Sequence, residues 1–479
     1  MAGAKILQKI VFEGTLQLDS PLLIGSGTET EQRTNEADIH ILKDKLERPF
    51  IPGTSLAGVL RAWMEGQDEQ AARKIFGFIT KKQNSESGQE QKHGGIDLQS
   101  AIAVSDVILQ NATTTVRDGV HIDPYTGVGI EGHKYDYEAV ERGAKGNLYI
   151  VLTAREFLAH EIPDLEKLCK KLADRLYTGI RVGALTAKGF GLVSVPDITI
   201  DFYNFQNEVA VKNWLLKQHS ANQYKGQKSI NIANDTFVVD AEFALRSSLL
   251  IRDQATFEIV GSATLAAMPM KSGEDYLIPG TSVKGVLRHQ AVKIMDILKI
   301  SQTGLDDLMG YTKDETHETS KKGRFTVNEV YIKNDEDLVH EVLQTRNHID
   351  RFTGGTIESA LFTNRVLWQR QQYKPIMKIH YEIKDCKEWE AGLALYLLKD
   401  LWTGKITIGG EKSIGRGMLQ GITAAINFGG KQFEIKRKEE GGVEKLIISS
   451  SDYENDTKAQ KALEELAKAL VDKKEAAEA

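Results

Sequence analysis

"IPGTSLAGVLRAW" begins at Ile51 and "IPGTSVKGVLRHQ" at Ile278, with nine of the first eleven residues identical at a separation of 227 positions. A true internal repeat must hold its separation at independent places along the chain. "LQLDSPLLIGSG" from Leu16 matches "FALRSSLLIRDQ" from Phe243, with Leu23 over Leu250, and "HIDPYTGVGIE" from His121 matches "HIDRFTGGTIE" from His348, both 227 apart. Late in each half "LYTGIRVGALTAKGFGLV" parallels "LWTGKITIGGEKSIGRGML", with Gly189 over Gly415 at 226. The chain is two tandem copies, and 479 residues suit two domains of about 200 residues each. The expected division is a first domain 1–204, a polar, glycine-containing linker 205–235, a second domain 236–450, and a tail 451–479. The tail is rich in Ala, Glu and Lys with apolar residues near helical spacing, so it reads as a solvated helix.

Bulk properties exclude more than they select. With 41% hydrophobic and 27% charged residues and no run of eighteen apolar ones, the chain reads as globular, without a membrane span. The start "MAGAKILQKIVFEG" enters an alternating strand pattern directly, with no secretion signal. Cys169 and Cys386 are the only cysteines, too few for a disulfide scaffold or a four-cysteine zinc site, so a reducing, cytoplasmic location is expected. A net charge of −6 argues against a surface that grips nucleic acid everywhere. It leaves a local basic groove open, because salt confines surface charge effects to about 8–10 Å.

Within one copy the patterns alternate between strand and helix. "KIVFEGTLQLDSPLLIG" is a strand with one buried face, and "DIHILKD" reads as a second. "RPFIPGTS" is a turn, after which Thr54 or Ser55 is placed to cap a helix running to Gly77. The segment 80–95 is a long loop, "AIAVSDVILQ" and "NLYIVLTAREF" are strands, "IPDLEKLCKKLADRLYTG" is a helix, and "GFGLVSVPDITID" closes the copy. The predicted class is α+β, with a βαββαβ, ferredoxin-like order in each half. "GALTAKGFG" lies between a helix and a strand and matches neither a dinucleotide fingerprint nor a phosphate-binding P-loop. Its glycines permit either a hairpin or a close backbone approach.

The "IPGTS" turn and helix, the central "TRNHIDRFTG" segment and the late "GFG" loop, in that order and twice over, resemble the RAMP superfamily. The similarity is greatest to the backbone subunits of type III CRISPR effector complexes, and a tandem fusion as in type III-D-like complexes is the specific expectation. The resemblance implies RRM-like domains with thumb-like β-hairpin insertions. It implies a CRISPR RNA guide, a complementary target RNA and other type III effector subunits as partners: further backbone subunits, a large polymerase- or cyclase-like subunit, and small subunits. Such domains hold guide backbone and 2′-OH groups largely without reading sequence.

Carried onto this chain, the thumbs fall at 117–137 and 346–362. Arg117, Ile122, Tyr125, Arg346, Ile349 and Phe352 lie there, and the four apolar ones either wedge against bases or form a local core. Thr54, Ser55, Thr281 and Ser282 would present helix-start N–H groups to phosphate. Arg61, Lys188, Lys284, Arg288, Lys412 and Arg416 are the basic side chains expected along the guide.

The family's catalytic aspartate maps onto Asp38, thirteen residues before Ile51, with His40 two residues along as a helper. The attacking group would be the RNA's own 2′-OH, and the carboxylate would bind Mg²⁺ or Mn²⁺ or assist proton removal. Without the resemblance, Asp38 reads as a turn cap. The same count in the second copy lands on Leu265, and Asp253 is the nearest acid there. The expected function is therefore metal-dependent cleavage of guide-paired RNA by the first copy. A purely structural guide-binding subunit and a guide-processing endonuclease are the alternatives. No motif for an organic cofactor is present.

Overall fold

The alternating segment ILQKIVFEGTLQL becomes the strand Ile6–Leu18, which buries Ile10, Phe12 and Leu16 and pairs antiparallel on both sides. Its neighbours are Lys145–Arg155 and Thr199–Asn204, with Ile102–Val104 beyond the former. Taken in chain order these four strands are first, third, fourth and second, so the sheet order is 4-1-3-2. That is the antiparallel ferredoxin-like arrangement, with helices Gly53–Glu65 and Ile162–Thr178 as the two crossovers. The second helix buries Leu165, Leu168, Cys169, Leu172 and Leu176, spaced three and four apart as an amphipathic helix requires.

The second copy repeats this plan. Phe237–Leu245 lies between Met377–Ile383 and Leu419–Phe428, and Phe325–Val327 pairs outside Met377–Ile383, again 4-1-3-2. Its crossovers are Gly280–Leu298 and Glu388–Trp402. A hairpin of Lys431–Glu440 and Val443–Ser449 widens this sheet.

The computed structural model describes residues 5–27, 37–78, 98–123, 125–228, 233–260, 264–311, 318–440 and 443–478. They form two compact units. The first is Met1–Arg117, Tyr137–Thr186 and Phe190–Ile230, and the second is Asp118–Asp136, Ala187–Gly189 and Asn231–Ala479. The loop expected at 80–95 lies outside the described residues.

Several local expectations are corrected. The first long helix is two, Gly53–Glu65 and Glu69–Phe76, and the Asp68 side chain caps the second by accepting from Ala71 N. The helix of each "IPGTS" motif starts at its glycine, with Pro52 or Pro279 in the capping position. Thr54, Ser55, Thr281 and Ser282 therefore sit inside the first turn and cap nothing, because proline's fixed φ and missing N–H suit it to the entry itself. "DIHILKD" makes isolated bridges, Ile39 to Tyr137 and Ile41 to Gly25, rather than a continuous strand. Asp253 lies in the strand Arg252–Val260. The stretch after residue 205 is partly built into the first unit: a helix Glu208–Leu215, then Gln223–Lys225 pairing with Thr199–Asn204.

The largest correction is the tail. Asp456–Glu478 is a helix whose Ala459, Leu463 and Leu470 are buried in the second unit's core. Its partner, Glu388–Trp402, buries residues on nearly all sides, as a helix covered on both faces must. Gly392 permits the approach, since a Cβ there would press on the carbonyls of Leu466 and Ala467. Leu470→Ala is expected to destabilise the second unit by about 2–5 kcal/mol, measured by denaturant unfolding, whereas a solvated tail would register almost nothing.

Candidate nucleic-acid interface

The repeated "HID..TG" motif is turn chemistry at the tip of a long hairpin. Thr114–Ile122 and Gly129–Val140 form the first hairpin, and Val339–Ile349 and Thr356–Gln369 the second. At the first tip Asp123 Oδ1 accepts from Tyr125 N at 2.9 Å and Thr126 N at 2.7 Å, and Gly127 N–H donates to Asp123 O. At the second, Asp350 accepts from Phe352 N at 2.9 Å and from the Thr353 hydroxyl, and Gly354 closes the turn. Gly127 and Gly354 both have φ near +70°, where a side chain is strained. These bonds hold the Asp123 and Asp350 carboxyls below their ordinary range. The result is an aromatic residue turned outward: Tyr125 is 73% exposed and Phe352 98% exposed. Ile122 and Ile349 are exposed beside them. None of the four packs into a core.

The basic residues separate into single paired ones and one cluster. Arg117 is buried, with its guanidinium on Glu141 at 2.7 Å. Arg416 is buried and bonds Glu411, Ser248 and Gln344. Arg346 also pairs with Glu411, and Arg61 pairs with Glu65 one turn along its helix.

The helix Gly280–Leu298, by contrast, gathers cations. Lys284 is buried and donates to Phe325 O at 2.8 Å. Burial first, and then the charges of Lys188, Arg288 and Lys322, push its ammonium down to about 7. Burial also lowers Lys188, with Arg288 adding to it. Arg288 bonds Gly310 O and Asp306. Further along, burial and Lys293 lower Lys412, and burial, Lys293 and Lys412 lower His289. Mutual depression of this kind marks like charges held together. Lys293, His289 and Lys322 were not singled out from the sequence. The available signal was the pair of four-residue spacings, Lys284 to Arg288 and His289 to Lys293.

The two helix starts differ. Gly53 N–H donates to Asp106 Oδ1 at 2.7 Å, so a carboxylate already occupies the first. At the second, a Cβ on Gly280 would collide with Lys188 O, so the backbone of 187–189, within the same unit, lies against it.

Asp38 is exposed. His40 Nδ1 lies 3.6 Å from Glu138, and Glu138 also takes Lys43 at 3.0 Å. His40 thus lies beside a carboxylate that Lys43 already engages. Asp253 lies on Arg252–Val260, partly buried. Among the described residues no three His, Cys, Asp or Glu side chains gather into a group able to hold a metal ion.

A family model described as the RAMP superfamily matches residues 15–194 and 260–420, once in each repeat and over most of the chain. The chain belongs to the RAMP superfamily. No curated protein matches it. No helix among the described residues is long and apolar enough to cross a membrane.

The lowered Lys284 ammonium has a measurable consequence. An unfolded lysine keeps its proton to about pH 10.4, while the folded one releases it near 7. The unfolded state therefore binds more protons between these values, and stability rises with pH across that window. The denaturant midpoint of the wild type is expected to rise relative to that of Lys284→Met from pH 7 to pH 10; parallel curves would contradict the assignment.

Proposed function

We propose that the chain is a backbone subunit of a type III CRISPR ribonucleoprotein, holding CRISPR RNA and kinking the guide–target duplex. The observation that carries this reading is the outward aromatic at each hairpin tip, borne twice on a ferredoxin-like unit of a RAMP-superfamily chain. An exposed ring on a rigid turn is suited to stack against or part successive bases, which is sequence-tolerant because every base offers a π-face. The cations around Gly280–Leu298 suit the phosphate backbone, and a phosphate there would relieve the mutual repulsion that depresses Lys284 and Lys188. The first helix start, capped by Asp106, is the poorer phosphate site.

Cleavage of the paired target is assigned to Asp38. Asp38 is exposed, and the counted position in the second repeat is Leu265. Asp38 alone is one oxygen ligand set; Mg²⁺ or Mn²⁺ held there would take its remaining ligands from water and RNA phosphate and would supply charge neutralisation at the phosphate. The chain's own contribution is to hold that carboxylate beside the RNA, near enough to the 2′-OH to accept its proton. The working partners are the guide, the target and neighbouring effector subunits, in the cytoplasm.

Two experiments test this. In the assembled complex, Asp38→Ala is expected to abolish cuts assigned to the first repeat by 10²-fold or more, in the range of general-base loss, with guide binding unchanged. If every cut persists, the chain is a structural guide-binding subunit. Separately, Tyr125→Ala or Phe352→Ala is expected to weaken target-duplex binding by about 1–3 kcal/mol, read by filter binding at fixed salt; no loss from either would remove the wedge assignment.

A further inference from the structure

Aligned by their sequence offset, the two glycine-rich loops share one backbone. Gly183, Leu185, Gly189 and Gly191 have positive φ, and so do Gly409, Glu411, Gly415 and Gly417 in matching order. On this shared frame one position differs in chemistry: Phe190 in the first repeat is Arg416 in the second. The position facing it, on the outgoing strand of the long hairpin, differs in the opposite sense: Arg117 in the first repeat is Gln344 in the second.

The side chains meet in both cases. Arg117 is 3% exposed, its guanidinium lies 5.3 Å over the Phe190 ring, and Glu141 on the hairpin neutralises it. Arg416 is 5% exposed, donates to Gln344 at 2.7 Å, and is neutralised by Glu411 on the loop at 2.7 Å. Arginine and carboxylate have changed sides together. A buried guanidinium is costly unless every partner is in place, and its flat face and fixed donors make it a directional link between two elements.

We infer that Arg117 and Arg416 are positioning residues that do the same work from opposite sides, each fixing the base of its long hairpin to its glycine-rich loop so that the two move as one body. The exchange is the informative part. Two unrelated losses could equally have fallen in one repeat and left it without an arginine, whereas here each repeat keeps one and the link's origin is reversed. The inference goes beyond the RNA reading and does not depend on it, because its test contains no RNA.

The test is amide hydrogen exchange on the full chain. Arg117→Gln is expected to speed exchange across 114–122 and 129–140 at least tenfold while Ile6–Leu18 stays within twofold of wild type. Adding Phe190→Arg, which moves the arginine to the loop as in the second repeat, is expected to return the hairpin to within threefold. The reciprocal pair, Arg416→Phe with Gln344→Arg, is expected to restore 339–349 and 356–369 after the single Arg416→Phe has loosened them. Unchanged hairpin exchange in the singles would overturn the proposal. So would acceleration that spreads equally to Ile6–Leu18, or failure of both doubles to recover. If the singles do not fold, the doubles decide: folded doubles with native hairpin exchange support the link, and doubles that also fail to fold refute it.

Discussion

Each repeat depends on one close backbone approach. A Cβ at Gly191 would collide with Val182 O, and one at Gly417 with Ile408 O; Gly183 and Gly409 press likewise on Leu23 O and Leu250 O. These contacts run from the glycine-rich loop to the segment that follows the central strand and to the residue just before the loop begins. They fix the loop's path at both ends, and the residues between the glycines inherit their directions. Phe190 and Arg416 point at their hairpins because the backbone on either side has no room to turn. The hairpin base therefore meets a loop whose path rests on a carbonyl contact that excludes a single methyl group.

Against that common frame the two repeats have diverged in their electrostatics. The first has a carboxylate at its helix start, Asp106, and an exposed Asp38 upstream. The second carries Lys284, Arg288, His289 and Lys293 on the equivalent helix and draws Lys188, Lys322 and Lys412 toward it. Near-identical turns therefore have different charged neighbours, a carboxylate at the first and cations at the second. A net charge of −6 conceals this, because the asymmetry lies in where the cations gather rather than in how many there are.

What was legible in the sequence was whatever rests on local rules. The alternation of strands and helices that marks a ferredoxin-like unit follows from their periods, and the hairpin tips follow from Asp and Gly at fixed places in "HID..TG". The helix entries were misassigned because Thr54 and Ser55 look like caps, whereas Pro52, two positions before Thr54, had already set the entry. The tail was misread because its own apolar content is slight. The better signal lay in its partner: "EAGLALYLLKDLW" is apolar on too many sides to be covered by a sheet alone. The crossed arginines were out of reach, since nothing in 117 or 190 alone says that they touch.

The docked helix also bears on how the protein is made. Glu388–Trp402 leaves the ribosome well before Leu463 and Leu470, which cover its outer face. At about 5–20 residues per second, that face waits roughly 3–14 s for its cover. During that interval the second unit is a nascent chain with a leucine-rich surface exposed, while the first unit, whose core uses only earlier residues, is free to close. The order of synthesis thus gives the two copies unequal risks of aggregation, and the later copy is the one that needs chaperone protection.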